Sequence, residues 1–290
     1  MNVAEQASHM PQWGSPMDAK PASYPLGSDR TELDRLNRQG AVLAPTTRMI
    51  LMAAGIGPGM RVLDLGTGTG DVAFVAAELV GPEGEVVGVD HSAEALAAAA
   101  ARAEHRGLTN VSFVRGDLHD PVAAVAPFDA IVTRLVLMYL PDPVAVLRTQ
   151  ATLLRPGGLL VPVELDVHTA HTTPAVPLFD RTLSWLAETF KRSGFDPALG
   201  PRLWGILLDA GVRPAGMVGV QPHFGPEDPA GPMVVADIVR AVLPLIERTG
   251  VATAEQIGID TLQTRLADEL AAATAVFAHS MLVGVWGQRF

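Results

Sequence analysis

Three acids that follow short apolar runs are the residues with the clearest chemical promise. They are Asp64 within Val62-Leu63-Asp64-Leu65, Asp90 at the end of Glu85-Val86-Val87-Gly88-Val89-Asp90, and Asp117 within Gly116-Asp117-Leu118. An ionised carboxylate only accepts hydrogen bonds and can take two donors at once, which suits a sugar diol or an exocyclic amine. Directly after the first acid stands Gly66-Thr67-Gly68-Thr69-Gly70, followed by the helical pattern Asp71–Leu79. Strand, glycine turn and helix make the first half of a nucleotide-binding βαβ unit. Glycines let the backbone turn sharply and lie against a ligand, and the helix start offers free N–H groups to an anionic group. The spacing is G-x-G-x-G. Counted from Gly66, Asp71 takes the place of the third glycine of a dinucleotide fingerprint; counted from Gly68, Ala73 does. No Gly-Lys-Ser/Thr follows, so a Walker phosphate loop is excluded as well. Asp90 lies about 20 residues beyond the loop, where a carboxylate can accept both ribose hydroxyls. Ser92 could equally start the next helix with Asp90 as a strand-end acid, and the glycine loop tips the balance toward ribose.

Candidates for the reaction itself are more scattered. Glu164, Asp166 and His168 alternate at the end of an apolar run. If that strand continues, all three share one face and form a base cluster or a hard-metal site; the alternative is a solvated loop with incidental acids. His171 is close by, and His223 is a second possible base or a packed histidine. No full set of metal ligands emerges. Arg134 closes the strand Phe128-Asp129-Ala130-Ile131-Val132 and is well placed to meet an anionic group, whereas Arg181, Lys191 and Arg192 read as a solvated helix face. Tyr139 follows, able to orient a substrate or to pack.

The elements that must hold these residues alternate strand and helix. Helices are expected over 28–40 and 44–54, the second with Pro45 in its first turn. Five strands follow, at 62–65, 85–90, 111–115, 128–132 and 159–165, with helical stretches between them. Beyond Asp166 the pattern changes: a loop over 168–177, helices over 178–193, 202–210, 234–247 and 253–273, and strands at 217–224 and 276–290. Residues 1–28, with Pro11, Pro16, Pro21 and Pro25, read as an arm or lid.

Composition narrows the class. A chain of 290 residues allows one large domain, and 48% hydrophobic residues supply a substantial core. A formal net charge of −10 argues against a general nucleic-acid partner. The absence of cysteine removes disulfides, thiolate metal sites and a thiol nucleophile. Neither a signal peptide nor an apolar run long enough for a membrane span is present, so a cytoplasmic location without membrane partners is expected.

The phrase VLDLGTGTG, followed in order by FDAIV, LPDP and LRPGG, resembles the class I S-adenosylmethionine (SAM)-dependent methyltransferases over roughly 55–166. The resemblance implies an α/β, Rossmann-like, doubly wound, mostly parallel seven-stranded sheet with a helical N-terminal cap and a helical lid insertion. The organisation expected is an arm and cap over 1–54, a SAM-binding core over 55–166, and lid helices with the rest of the sheet over 167–290. It implies that Gly66, Thr67, Gly68 and Gly70 wrap the methionine part of SAM and that Asp64 stands near its cationic end or braces the loop. It also implies that His91 neighbours the adenine, that Gly116, Asp117 and Leu118 meet the adenine, that Tyr24 and Gln39 of the cap touch SAM or only pack, and that Arg134 belongs to the same site. Glu164, His168 and Tyr139 are the candidates for catalysis, and no resident metal is expected. The function implied is methyl transfer to a small hydrophobic or aromatic acceptor, with a homodimer possible. Two other readings stay open: an enzyme of this fold that uses SAM without losing its methyl, and a SAM-binding protein without catalysis.

Overall fold

The computed structural model describes residues 30–121 and 127–289. The chain begins with α1 (Arg30–Ala53) and continues through β1 (Arg61–Leu65), α2 (Asp71–Val80), β2 (Glu85–Asp90), α3 (Ala93–His105), β3 (Val111–Arg115) and β4 (Phe128–Arg134). Then come α4 (Pro143–Ala151), β5 (Leu154–Asp166), β6 (His171–Thr173), α5 (Pro177–Arg192), α6 (Leu199–Asp209), β7 (Val212–Val220) and β8 (His223–Phe224). The last elements are α7 (Ala230–Arg248), α8 (Ala254–Ile257), α9 (Leu262–Ala273), β9 (Val276–Ala278) and β10 (Met281–Arg289).

Seven strands form the main sheet in the order β3-β2-β1-β4-β5-β10-β7. The pairs among β1 to β5 are parallel, and β10 runs antiparallel to both β5 and β7. Alternation along β1 shows why these runs become central strands. Leu63 and Leu65 pack into one apolar cluster with Leu203 and Leu207 of α6, and Val62 packs into another with Val72 and Val75 of α2. Both faces are covered, as a parallel sheet requires.

The two expected N-terminal helices are one. Helix α1 runs unbroken with Pro45 inside it. Proline removes one backbone donor from a helix interior, and burial outweighs that loss here. Leu43, Thr47, Ile50 and Leu51 recur on one face and are all fully buried, with Leu43 and Ile50 against Val163 and Leu282 of the sheet. A Cβ on Gly284 would sit 2.2 Å from Ile50 Cγ2, so a bare backbone at that point of β10 is what lets α1 lie down on the sheet.

The three strands β5, β10 and β7 outrun the rest of the sheet. Each is interrupted at the rim, and the chain beyond re-pairs as a small antiparallel sheet in the matching order β6-β9-β8. Helices α5, α7 and α9 pack against it around a separate apolar core that includes Phe179, Val239, Leu266 and Phe277. Among the described residues, no helix is long and apolar enough to cross a membrane.

Candidate functional site

A cavity of about 1010 Å³ opens between the carboxyl ends of the parallel strands, α1, and the helices α5 and α7. The glycine turn forms one wall. Gly66, Gly68 and Gly70 all adopt positive φ, at 67°, 53° and 89°. A Cβ on Gly68 would meet no atom within 4 Å, so this stretch of backbone faces open space of the kind a bound ligand fills.

Asp90 fastens that turn to the end of β2. Its carboxylate accepts from Gly68 N at 2.9 Å and from Ser92 N at 2.9 Å. It lines the cavity and is only 9% exposed. A carboxylate has about four acceptor positions, so two backbone donors leave room for hydroxyl donors from a ligand. Ser92 caps α3 as well, its Oγ accepting from Ala95 N at 3.2 Å. The helix start at Ser92 is therefore present, and the Asp90 carboxylate still faces the cavity. Gly116, Asp117, Leu118, His91, Gln39 and Arg134 also line the cavity. The Asp117 carboxyl is exposed and held below the usual carboxylate range, chiefly by the backbone amide of His119 and then by its ring.

Asp64 lies beneath the turn, fully buried, and does not reach the cavity wall. It accepts from Thr67 Oγ1 at 2.7 Å, which braces the turn from inside. Burial pushes its carboxyl up to about 7 against the pull of Thr67 and the Arg134 charge. Its second oxygen has no partner among the described residues, and neither has Nε of Arg134. Arg134 donates to Thr47 Oγ1 at 2.7 Å, and burial holds its guanidinium below its ordinary range. A buried cation at the cavity wall fits the carboxylate of an amino-acid ligand. Together with the glycine cradle and the acceptors on β2 and β3, it fits an aminoacyl nucleoside such as SAM. Tyr24 lies outside the described residues.

The alternating trio at the end of β5 does not assemble. The strand stops at Asp166, whose carboxylate accepts from His168 N at 3.1 Å and turns the chain into a short 3-10 helix. That turn ends the two-residue alternation and leaves His168 exposed, off the cavity wall. Glu164 is fully buried below the rim and also off the wall. Its Oε1 accepts from Val136 N at 3.0 Å and Leu137 N at 2.7 Å. It thereby holds the turn after Leu135, a residue in the left-handed region at φ 58° that does line the cavity. Burial pushes its carboxyl up to about 8. Tyr139 is on the wall, its ring edge-on to Phe195 at 5.4 Å. His171 and His223 are exposed.

Two residues on the wall escaped the sequence reading. Arg35 of α1 is buried in a bidentate pair with Glu32 at 2.7 and 2.6 Å and also reaches Gln39 at 3.1 Å. Their i, i+3 and i, i+4 spacings could have signalled the network. His279, at the junction of β9 and β10, is 4% exposed and lines the cavity. No local pattern marks it.

Fold and cavity together define an α/β enzyme class that takes its ligand at the carboxyl rim of an open sheet. The chain belongs to the SAM-dependent methyltransferase family. The family description "Methyltransferase domain" matches residues 56–193. The chain is 31% identical over 178 residues to demethylmenaquinone methyltransferase of Geobacillus kaustophilus, covering 51% of this chain and 76% of that one. It is 34% identical over 201 residues to nocamycin O-methyltransferase of Saccharothrix syringae, covering 68% of this chain and 63% of that one, so it spans less than two thirds of the length of that relative. A protein from Bacillus halodurans C-125, solved as a candidate methyltransferase, shares the fold at a TM-score of 0.54 and 18% identity, covering 84% of this chain and 98% of that one.

Proposed function

We propose that this chain transfers the methyl group of SAM to a small, hydrophobic or aromatic organic acceptor. The observation that carries the proposal is the single continuous cavity. Its β1–β2–β3 end presents the glycine turn, Asp90 and Gly116-Asp117-Leu118; its far end is walled by Leu183, Leu186 and Phe190 of α5 and Val235, Ile238 and Val242 of α7. Such a volume holds a nucleoside-sized molecule and leaves an apolar chamber beside it. The named relatives support the reading, since nocamycin and demethylmenaquinone are small organic molecules. A chamber filled by side chains would have favoured a binding protein without catalysis; this one is open.

SAM supplies an electrophilic methyl on a sulfonium that is already a good leaving group. The chain's own task is alignment and exclusion of water. In this proposal Asp90 accepts from the ribose hydroxyls and Asp117 from the adenine amine, while Leu118 packs on the ring. Arg134 meets the carboxylate, and Gln39 closes the site from α1. Asp64 acts through Thr67 by fixing the turn. Glu164 fixes the Leu135–Leu137 turn at the wall. Helix α1 is joined to α7 by the Arg38–Asp237 ion pair at 2.7 Å, so the cap and the chamber roof are connected over the cavity.

The test is calorimetric titration with SAM and with NAD, followed by turnover with a set of small aromatic acceptors. SAM binding, with S-adenosylhomocysteine and a methyl-mass gain among the products, is the expected result. Binding of NAD without SAM would refute the family-level chemistry. Turnover of an acceptor without S-adenosylhomocysteine would replace methyl transfer by a rearrangement that keeps the methyl.

A further inference from the structure

We propose that His279 is the general base of this enzyme and that its substrate is a planar aromatic or enolic hydroxyl compound, methylated on that oxygen. This rests on the SAM-dependent reading above and names its acceptor.

The position is built with care. His279 stands where β9 breaks from β10, at the rim. Its backbone N donates to Pro222 O at 2.9 Å, and its carbonyl accepts from Gln221 Nε2 at 2.8 Å. The same Gln221 amide donates to Thr169 O at 2.9 Å, and Thr169 Oγ1 accepts from Met281 N at 2.8 Å. The three interrupted strands are thus tied together around this residue. The ring is fixed too. Nδ1 lies 2.9 Å from Ser280 O, and a carbonyl can only accept, so Nδ1 carries the proton. Phe224 and Phe277 flank the imidazole edge-on, with centroids at 6.4 and 6.0 Å. Nε2 therefore holds the lone pair. It has no hydrogen-bond partner among the described residues, and it is not among the sealed polar atoms of the interior. His279 lines the cavity.

Elimination points the same way. Of the titratable groups on the wall, Asp90, His91, Asp117 and His119 belong to the β2 and β3 ends, and Asp71 is paired with Arg102 at 2.8 Å. Arg35 and Arg134 are cations. Tyr139 and His279 remain toward the chamber, and of these only the imidazole takes a proton near neutral pH. Burial holds His279 below its ordinary value, with the Ser280 carbonyl opposing. A weakened base needs a comparatively acidic hydroxyl proton, which selects a phenol or enol over an alcohol. A carboxylate acceptor would need no base. Chamber walls of Leu, Val, Ile and Phe select a flat apolar body for that hydroxyl.

The step balances. The acceptor O–H gives its proton to Nε2, and the oxygen pair forms the O–CH₃ bond as the C–S bond breaks. Sulfur keeps that bonding pair, giving S-adenosylhomocysteine. His279 is left as an imidazolium with Nδ1–H still on Ser280 O, and it loses its Nε2 proton to water after product release.

The experiment uses the full chain with 7-hydroxycoumarin as probe and 7-methoxycoumarin as the comparison without an O–H. With S-adenosylhomocysteine present, wild type should bind both compounds. His279→Gln should weaken 7-hydroxycoumarin more than tenfold and leave 7-methoxycoumarin and SAM within twofold. Methylation of 7-hydroxycoumarin should fall by 100-fold or more, as general-base removal does. The wild-type rate should rise with pH through an ionisation that the variant lacks. His279→Asn with added imidazole is the second variant, with partial recovery of rate expected. Failure of wild type to bind SAM would overturn the family-level reading and this one together. SAM binding with neither coumarin bound would overturn the acceptor class alone. Equal losses for both coumarins, or an unchanged pH profile, would reduce His279 to packing.

Discussion

Replacement of Glu164 by Gln tests how the buried acid below the rim is protonated. The side chain is fully buried, Oε1 accepts from two backbone amides, and Oε2 has no partner among the described residues. Burial lifts its carboxyl from an ordinary value of 4.5 to about 8, with the Leu137, Val136 and Met138 amides opposing. The folded protein therefore holds this proton to higher pH than the unfolded chain. Folding takes up a proton between the two values, so stability is fully present below pH 4.5 and is lost as pH rises toward 8. At about 1.4 kcal/mol per pH unit the complete loss is roughly 5 kcal/mol, and relaxation around the charge reduces it to about 2–4. Gln keeps the acceptor oxygen and cannot ionise. Urea unfolding of both proteins from pH 5 to pH 9 should give nearly equal stability at the acid end and a Gln variant more stable by about 2–4 kcal/mol at the alkaline end. Asp64, raised to about 7, adds its own slope to both proteins and cancels in the difference. Curves that stay parallel across this range would show that Glu164 is ionised throughout in the folded protein, and the argument from burial would fail.

Asp90→Ala should raise the SAM dissociation constant more than tenfold in calorimetry, because ligand hydroxyls, Gly68 N and Ser92 N all lose an acceptor; an unchanged constant would sink the ribose assignment. Gly68→Ala places a methyl in open space at φ 53°, so SAM affinity should drop at least tenfold while urea stability falls by only about 1 kcal/mol. A variant that binds SAM normally would show that the turn does not face the ligand. His168→Ala should leave SAM binding and turnover within twofold, since the side chain is exposed and off the cavity wall; a large fall in rate would restore it as a base.

The cofactor half of the cavity was legible because it is built locally. A glycine run, a strand-end acid and a following helix lie consecutively, so residue spacing placed Gly66–Gly70 and Asp90 at one rim, and the motif resemblance added Gly116–Leu118. Misreadings arose where distant packing overrode local signals. Pro45 reads as a first-turn residue by itself, but burial of Leu43, Thr47 and Ile50 against the sheet carries α1 straight through it. Alternation of Glu164, Asp166 and His168 reads as one face, but the Asp166 side chain caps a new turn and ends the strand. Of the two readings open for Asp64, the structure bears out the one in which it braces the loop, through Thr67.

The acceptor half shows the opposite construction, and this explains why His279 carried no signal. Its place depends on Gln221, which lies 58 residues away from it and 52 away from Thr169. Those contacts exist only because three strands of the main sheet break at the same level and re-pair in the same order. Neither half depends on the other's contacts at its core: the glycine turn is held by Asp64, Thr67 and Asp90, and the imidazole by Gln221, Pro222 and Ser280. Residues lining the chamber on α5 and α7 can therefore change without disturbing the turn. Exchanges among Leu183, Leu186, Val235 and Ile238 should alter which acceptor is used while leaving SAM affinity in place. The base stays fixed to the rim while the walls around it vary, so acceptor specificity can diverge without rebuilding the cofactor site.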